Sequence, residues 1–451
     1  MGNPLDNPQI RAAHLLRRAG FGGTPTEIEA YAAMDYTAAV EKLLNFNYDG
    51  NLTFNLERKL QETNYTASVA EMGYWWVLTM IRSHQPLQEK MTLFWHGHFT
   101  TAYSKVNKPV PLLTQNQLYR EYALGNFGEL VKKVSRDPAM IEYLDGQSNK
   151  KGKPNENYAR ELMELFTIGI GNYTEQDVRE AARAFTGWSY RGRAFMFDKN
   201  QHDSGSKTFM GQTGNFDGDN IIDIILSKKA TAQHIATQLW TFFAYPNPEP
   251  ALVNRLSDVF FNSKYDVKEL MRNIFLAPEF LSEKAYRALV KSPAEYVVGM
   301  LRQLGNSGLD ENVARALSLQ GQTLFNPPTV KGWDGQLAWI NTSLFFDRVN
   351  TATSLTASRG NQYKFDVVAP IQDKQLDSGD KYIDYYLNTL LDGQYNPDMK
   401  SALLDYTNAG GTLNINDLKL GPTDRNKVLA TDSKLRGVIH LIMSSPDYFL
   451  K

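Results

Sequence analysis

The sequence of 451 residues contains no cysteine. Disulfide bonds and thiolate metal sites are therefore excluded, and any bound metal would need histidine or carboxylate ligands. The 48 Lys and Arg residues are balanced by 49 Asp and Glu residues, so no overall field favours nucleic acid or an anionic membrane. No stretch approaches the roughly 20 consecutive apolar residues that a spanning helix needs. We therefore expect a globular protein with no membrane span and no nucleic-acid partner.

Several catalytic signatures are also missing from the sequence. There is no nucleophile elbow of the form G-x-S-x-G, no phosphate-binding glycine loop, no H-E-x-x-H helix and no dinucleotide fingerprint. Their absence disfavours a Rossmann enzyme and a hydrolase built on a nucleophile elbow.

Most of the chain predicts helix, because apolar residues recur at three- and four-residue steps between capping signals. Thr114, Asn126 and Thr174 each precede such a segment and have Gln, Glu or Asp three residues on, as in a capping box. The interval 188–214 first alternates and then breaks into Gly, Ser and Asp, which predicts a hairpin with a long loop. The predicted fold class is mainly α, a large multi-helix domain with a small β-hairpin or irregular insertion near 190–215.

The sequence predicts three parts along the chain. Residues 1–359 carry the polar motifs and are predicted to form a helical core domain. Residues 360–425, rich in Asp, Asn, Gly and Tyr, are predicted to form a peripheral insertion. Residues 426–451 are predicted to form a C-terminal helix that returns to the core.

Two of the seven histidines, His96 and His98, lie in the aromatic stretch "FWHGHF". The residues before them predict a buried helix that begins near Pro86. Residues two apart on a helix point about 200° apart, so both imidazoles can meet one ligand only if Gly97 breaks the helix or the segment is extended. That alternative predicts a divalent metal bound by His96 and His98 with Glu161. In the other alternative, each imidazole separately satisfies a buried backbone carbonyl.

The segment "PNENYARELMELF" at 154–166 predicts an amphipathic helix with a crowded polar face. The candidate residues of this helix and of the loop before it are Asp145, Asn155, Glu156, Asn157, Arg160, Glu161 and Glu164. A solvated face is one interpretation. Crowded carboxylates also bind a cation or move one another's pKa values apart, which suits acid–base chemistry. We predict that Glu161 and Glu164 line one cleft with His96 and His98.

His202 and Asp203 are adjacent in "HDSGSK", in the irregular part of the predicted hairpin. Taken alone, these residues are typical of a surface turn. Because a long turn costs closure entropy, we predict that the loop 198–214 folds over the cleft and brings His202 and Asp203 to the carboxylate helix. Lys207 would then add a charge that could hold an acidic sugar.

These segments, together with "HLLRRAGFG", "DPAMIEYLDG", "KSPAEYVVGMLRQLG" and "NPPTVKGWDGQLAW", resemble the large bacterial family known as domain of unknown function 1800. The likeness runs in order from about residue 10 to 350 and returns at "SSPDYF". Members are mostly long bacterial proteins with export signals, often encoded beside an exported sulfatase- or phosphatase-like protein. The resemblance therefore implies a periplasmic or secreted protein with such a partner, and we expect that its export signal has been removed.

Three functions remain open at this point. The first is an enzyme that cleaves a polysaccharide or another extracellular polymer, because carboxylates, histidines and aromatic rings match what glycan cleavage uses. Its predicted catalytic residues are Glu161, Glu164, Glu156, Asp145, His202 and Asp203. Its predicted substrate-binding residues are Trp188, Trp333, Arg160, Arg183, Asn155, Asn157 and Lys207. The second function is a metal-dependent hydrolase or oxidoreductase. The third is a non-catalytic binding or assembly module whose motifs hold buried polar networks.

Overall fold

The computed structural model describes residues 2–46, 66–305, 312–357, 365–411, 413–419 and 424–451. Most of these residues are helical, and the strands among them form only two short antiparallel pairs. The predicted fold class, mainly α with a small β insertion, is therefore confirmed.

The helices and strands follow one another with short connections. In the first half of the chain the helices are α1 (Pro8–Ala19), α2 (Pro25–Ala32), α3 (Tyr36–Leu44), α4 (Val69–Arg82), α5 (Pro86–His98), α6 (Tyr103–Val106), α7 (Pro109–Glu121), α8 (Phe127–Ser135), α9 (Pro138–Tyr143), α10 (Asn157–Glu161), a π-helix (Leu162–Phe166) and α11 (Glu175–Ala184). The strands are β1 (Trp188–Arg191), β2 (Ala194–Phe197), β3 (Lys207–Phe209) and β4 (Gln212–Gly214). The remaining helices are α12 (Gly218–Leu226), α13 (Lys229–Phe243), α14 (Pro250–Asn262), α15 (Val267–Phe275), α16 (Pro293–Gln303), α17 (Asn312–Leu319), α18 (Thr342–Ala357), α19 (Ala369–Asp373), α20 (Gly379–Leu391), α21 (Pro397–Asn408) and α22 (Arg425–Met443).

Side-chain caps set where many of these helices begin. Thr174 and Asp177 form a reciprocal capping box at the start of α11, and Asn126 caps α8. Both of these predicted starts are confirmed. The start predicted at Thr114 is wrong, because α7 already begins at Pro109, a position that suits proline in a first turn.

The β insertion differs from the predicted single hairpin with a long loop. Two short hairpins follow one another, with Trp188 opposite Phe197 in the first and Lys207 opposite Gly214 in the second. Two residues separate the paired strands in each hairpin, which is the commonest hairpin loop length. Residues 198–206 therefore connect two hairpins and are not the turn of one.

The described chain divides into two compact units. Unit 1 contains Met1–Tyr36, Tyr286–Gln322 and Gly335–Lys451, whereas unit 2 contains Thr37–Ala285 and Thr323–Asp334. The described part of the predicted insertion 360–425 belongs to unit 1 together with both ends of the chain. Leu387 in this part is fully buried, and the buried Asp392 pairs with Arg17. The division of the chain thus differs from the three predicted parts.

The core of unit 2 contains helix α5. Every residue from Leu87 to His96 on this helix is buried, which confirms the prediction of a buried helix. The Trp95 ring stacks on Phe99 and Phe127, so aromatic packing continues beyond the helix. Among the residues that the structure describes, no helix combines the length and the apolar character needed to span a bilayer.

Candidate functional site

The predicted break at Gly97 does not occur, because α5 continues through His98. His96 is buried, and the centroid of its ring lies 5.1 Å from Trp76, 5.6 Å from Phe325 and 5.6 Å from Trp333. Its Nε2 accepts a hydrogen bond of 3.2 Å from the backbone N–H of Phe325. Burial lowers the pKa of His96 to about 3, so its imidazole is neutral near pH 7 and Nε2 remains an acceptor.

His98 serves a different backbone group. Its Nε2 donates to the carbonyl oxygen of Phe166 at 3.0 Å, and its ring stacks on Phe94. Burial, followed by the neighbouring His234, lowers the pKa of His98 to about 3. His98 therefore satisfies a backbone carbonyl, as the second alternative predicted, whereas His96 accepts a hydrogen bond from a backbone N–H.

The structure does not assemble the predicted metal ligands His96, His98 and Glu161. The two imidazoles leave one unbroken helix in different directions, and each binds backbone through its Nε2. In the described parts of the chain, no group of three or more His, Asp or Glu side chains is arranged to hold a metal ion. Because Gly97 stays helical, the structure does not turn His96 and His98 toward one ligand position, and metal binding by these residues stays a prediction.

The carboxylate segment is not a regular α-helix. Helix α10 ends at Glu161, and Leu162–Phe166 continues as a π-helix. Such segments are rare and occur frequently at functional sites. A helical wheel of 100° per residue therefore fails beyond Glu161, because each wider turn contains an additional residue.

Glu161 and Glu164 lie at this junction, and both are half-buried. Burial and then the negative charge of Glu164 raise the pKa of Glu161, against an opposing effect of Arg160. The hydroxyl of Tyr173 donates to Glu164 at 3.2 Å. The pKa of Tyr143 is raised by burial and then by Glu161, so this phenol lies near the same carboxylate. A carboxylic acid of raised pKa beside a second carboxylate suits acid–base chemistry.

The predicted meeting of α5 with the carboxylate segment occurs at the backbone. His98 contacts Phe166, two residues beyond Glu164. His98 binds the backbone of Phe166, and His96 binds the backbone of Phe325. In the described structure neither imidazole is hydrogen-bonded to the carboxylate of Glu161 or Glu164. The two segments are therefore adjacent, but the histidines support the site from its buried side.

The loop before α10 is held by three of the predicted residues. The carboxylate of Asp145 accepts from Lys105 Nζ at 2.8 Å and from Asn157 Nδ2 at 3.2 Å. Asn155 accepts from the backbone N–H of Asn157 at 2.9 Å and donates to Ser148 at 2.7 Å. These contacts organise the loop beside α10.

Arg160 links the two acidic helices of this region. Its guanidinium makes two hydrogen bonds of 2.8 Å to Glu175 at the start of α11, and it contacts Glu156 at 3.2 Å. Both Arg160 and Glu156, predicted to act on a substrate, therefore already take part in an ion-pair network. A substrate anion would have to compete with these carboxylates for Arg160.

The loop 198–214 packs on α11, and no hydrogen bond in the described structure ties it to α10. Three of its hydrogen bonds to α11 are Arg183 Nε to Asp203 Oδ2 (2.8 Å), Thr208 N to Glu180 Oε2 (3.2 Å) and Met210 N to Asp177 Oδ1 (2.7 Å). The loop therefore contacts a different acidic helix from the one predicted. Asp177, Glu180 and Arg183 lie three residues apart on one face of α11, and each binds a backbone or side-chain group of the loop.

His202 and Asp203, which were predicted to approach the carboxylate helix, bind other partners. His202 Nδ1 donates to the carbonyl oxygen of Thr186 at 2.9 Å, and its ring packs edge-on against Phe197. Asp203 binds Arg183 instead. His202 is half-buried, and its orientation is set by Thr186.

Two predicted substrate-binding residues are buried. Lys207 is 1% exposed, and its Nζ donates to the carbonyl oxygens of Asp203 at 2.6 Å and Gly205 at 3.1 Å. Trp188 is 7% exposed, and the guanidinium of Arg136 lies 4.8 Å from its ring centroid. In this structure both side chains contact other groups of the protein, and their assignment to substrate binding stays a prediction.

Trp333 remains half-buried, and a close backbone contact positions it. The preceding Gly332 has a φ of +85°, and a Cβ there would lie 2.5 Å from the carbonyl oxygen of Gly97. Only glycine allows this approach, which brings Trp333 beside His96. Trp333 is therefore neither fully buried nor fully exposed, and its predicted role in substrate binding stays a prediction.

Sequence reasoning missed three residues of this region. Tyr143 and Tyr173 approach the two carboxylates, and His234 donates to the carbonyl of Leu165 at 3.1 Å. Tyr173 could have been found from its position directly after the glycine-rich turn that follows the carboxylate segment. His234 lies within α13 and carries no local signal, because its partner is 69 residues away.

Comparisons with known proteins identify a family and no activity. No curated protein matches the sequence, and no solved structure matches it. A family model described as "Protein of unknown function (DUF1800)" matches residues 14–450, nearly the whole chain. The chain therefore belongs to the DUF1800 family, as the resemblance of its motifs predicted.

Proposed function

We propose that this protein is an enzyme that cleaves a polysaccharide by acid–base chemistry at Glu161 and Glu164. The observation that carries the proposal is the pair of half-buried carboxylates at the junction of α10 and the π-helix, in which burial and Glu164 raise the pKa of Glu161. Glycosidases use two carboxyl groups, one of them a proton donor with a raised pKa.

In this proposal Glu161 protonates the oxygen of the leaving sugar. Glu164 is the second carboxylate and either activates water or attacks the sugar directly. The hydrogen bond from Tyr173 orients the Glu164 carboxylate. Trp333 is half-buried, and in this proposal its ring stacks against a sugar.

The proposed location is the periplasm or the extracellular space. The support is the resemblance to a family of exported proteins, which also motivates an exported sulfatase- or phosphatase-like partner. A neutral or acidic polysaccharide is the substrate class that fits this location and the acid–base pair.

The test is hydrolysis of a panel of polysaccharides, measured as new reducing ends. Glu161→Gln and Glu164→Gln should each lower turnover by about 100-fold to 10,000-fold, the usual contribution of a general acid or base. Glu121→Gln is the matched control, because Glu121 is an exposed carboxylate at the end of α7. Unchanged turnover in Glu161→Gln would contradict the proposal.

A second candidate function is a polysaccharide-binding module without turnover. It is favoured by the structural use of motif residues such as His96, Arg183 and Lys207, which all bind groups of the protein itself. Binding of a polysaccharide by the wild-type protein, with no new reducing ends and with equal affinity in Glu161→Gln, would favour this candidate over the enzyme.

A further inference from the structure

Two histidines from different helices bind consecutive carbonyls at the end of the π-helix. His234 Nε2 on α13 donates to Leu165 O at 3.1 Å, and His98 Nε2 on α5 donates to Phe166 O at 3.0 Å. The two rings are neighbours, since His234 contributes to the lowered pKa of His98.

Other groups bind two further carbonyls of this short segment. The Thr167 hydroxyl donates to Leu162 O, and the Gly169 backbone N–H donates to Met163 O at 2.9 Å. The last carbonyls of a helix lack partners within the helix and need such donors when they are buried. The wide turn at Leu162–Phe166 is therefore stabilised by contacts from outside the helix.

The chain makes room for His234 at Gly169. This glycine has a φ of +79°, and a Cβ at this position would lie 2.7 Å from His234 Nδ1. The "TIGIG" sequence thus combines a left-handed backbone with direct access of an imidazole to the segment. Any larger residue would displace the ring that binds Leu165.

Both imidazoles suit this task because they stay neutral. Burial lowers the pKa of His234 as well as that of His98, so each ring carries one N–H and no charge near pH 7. A neutral N–H donor satisfies a buried carbonyl without the cost of burying an ion.

We infer that His98 and His234 are positioning residues that hold the π-helix and thereby set the placement of Glu161 relative to Glu164. The inference rests on the proposed function only where it treats Glu161 and Glu164 as catalytic residues. The arrangement of the two carboxylates does not depend on a substrate. An α-helical segment would turn Glu164 to another side and expose Glu161 differently to solvent.

The test measures the pKa of Glu161 by NMR of protein with labelled glutamate side chains. His98→Leu and His234→Leu remove the donors, so the pKa of Glu161 should fall toward the ordinary glutamate value. His98→Gln and His234→Gln keep an amide N–H near the position of Nε2, and they should retain the raised pKa. Amide exchange at Thr167–Gly169 should accelerate in the leucine variants and stay slow in the glutamine variants.

Gln233→Leu is the matched control, because Gln233 lies next to His234 on α13 and loses only an exposed hydrogen bond to Asn254. Folded leucine variants with an unchanged pKa of Glu161 and unchanged exchange would overturn the inference. If these variants do not fold, Gly169→Ala serves as the second test, since it displaces the His234 ring without removing its N–H. An unchanged pKa of Glu161 in Gly169→Ala would also overturn the inference.

These measurements need no substrate, so they separate the two proposals. A shifted pKa of Glu161 with no polysaccharide cleaved would support the positioning role and count against the proposed enzyme. Turnover lost in Glu161→Gln, with no effect of the leucine variants on the pKa, would support the enzyme and remove the histidines from it.

Discussion

Lys207 shows how a charged residue can serve the fold alone. Its buried ammonium binds the carbonyls of Asp203 and Gly205 and fixes the turn between the two hairpins. Burial lowers the pKa of Lys207, although the charge of Asp203 opposes this effect. The sequence pattern of a lysine in a Gly- and Ser-rich loop is the same for a substrate-binding lysine and for this internal clamp.

Replacing Lys207→Met should lower the free energy of unfolding by about 1–3 kcal/mol, because two carbonyls lose their donor. It should also increase protease cleavage at 203–206. Urea unfolding and limited proteolysis measure the two effects. Lys199→Met is the control, since Lys199 is exposed in the same connection. Equal behaviour of the two variants would contradict the clamp.

His96 should make stability depend on pH. The pKa of His96 is about 3 in the folded chain and 6.5 ordinarily, so the unfolded chain binds more protons between these values. The contribution of His96 is complete above pH 6.5 and is lost as the pH falls toward 3. The amide oxygen of His96→Gln can still accept from Phe325, but this side chain does not titrate. As the pH falls from 6.5 toward 3, the free energy of unfolding should therefore decrease less in His96→Gln than in the wild type, by up to about 1.4 kcal/mol per pH unit.

Urea unfolding of both proteins across this pH range measures the difference. Asp137 acts in the opposite direction, because burial raises its pKa to about 7 and its contribution improves as the pH falls. Asp137 is present in both proteins, so its effect cancels in the comparison. Parallel pH profiles would show that His96 is not buried as a neutral base.

At the scale of elements, two helices of similar sequence pattern have different tasks. The polar face of α11 binds the loop 198–214 through Asp177, Glu180 and Arg183. The polar face of α10 stays half-exposed and continues into the π-helix with Glu161 and Glu164. The difference comes from what packs on each helix, since both have carboxylates and an arginine at helical spacing.

The turn that ends at Gly332 should be sensitive to a single methyl group. Gly332→Ala places a Cβ 2.5 Å from the carbonyl oxygen of Gly97 at a φ of +85°. We expect a loss of stability of about 1–3 kcal/mol from strain and a change in Trp333 fluorescence as its contact with His96 opens. Thermal unfolding and emission spectra measure the two effects.

Gly171→Ala is the control that separates the cost of a left-handed backbone from the cost of the contact between the added Cβ and Gly97. Gly171 has a φ of +86°, and a Cβ there would meet no atom within 4 Å. The loss of stability in Gly171→Ala should therefore come only from the left-handed backbone and amount to about 1–2 kcal/mol. If Gly332→Ala proved no more damaging than Gly171→Ala, the close approach to Gly97 would not be needed.

At the scale of the whole molecule, unit 1 joins parts of the chain that are far apart in sequence. The guanidinium of Arg17 donates to both oxygens of Asp392 at 2.8 and 2.6 Å, across 375 residues. Both side chains are buried, at 7% and 3% exposure. Asp392 also accepts from the hydroxyl of Tyr286 at 3.0 Å and lies 3.9 Å from the guanidinium of Arg287. A buried ion pair stabilises little when intact, but removing Arg17 leaves the buried carboxylate with only these weaker partners.

Arg17→Met should therefore lower the free energy of unfolding by up to about 3–5 kcal/mol, the cost of a fully uncompensated buried charge. Adding Asp392→Asn removes the buried carboxylate charge that has lost its main partner and should recover part of the loss, since asparagine also tolerates the left-handed backbone at this position. Denaturant unfolding of the two single variants and the double variant measures this coupling. A double variant that loses the sum of the single losses would contradict it.

The sequence by itself determined the helical class, the burial of α5 and the helix starts at Asn126 and Thr174. These features depend on apolar spacing and caps within a few residues, so they can be read locally. It also determined the family, through motifs that run in order along the chain. It located the carboxylates Glu161 and Glu164 but not the π-helix that carries Glu164.

Only the tertiary structure decided what each polar residue does. The partner of His98 is 68 residues away along the chain. Lys207 donates to the carbonyl of Asp203 only because the turn at 203–205 brings that carbonyl to its ammonium. A histidine beside aromatic residues has the same local pattern whether it binds a metal or a backbone carbonyl. Burial and the nearest unsatisfied backbone group decide between these outcomes, and both are set by packing between segments that the local pattern does not describe.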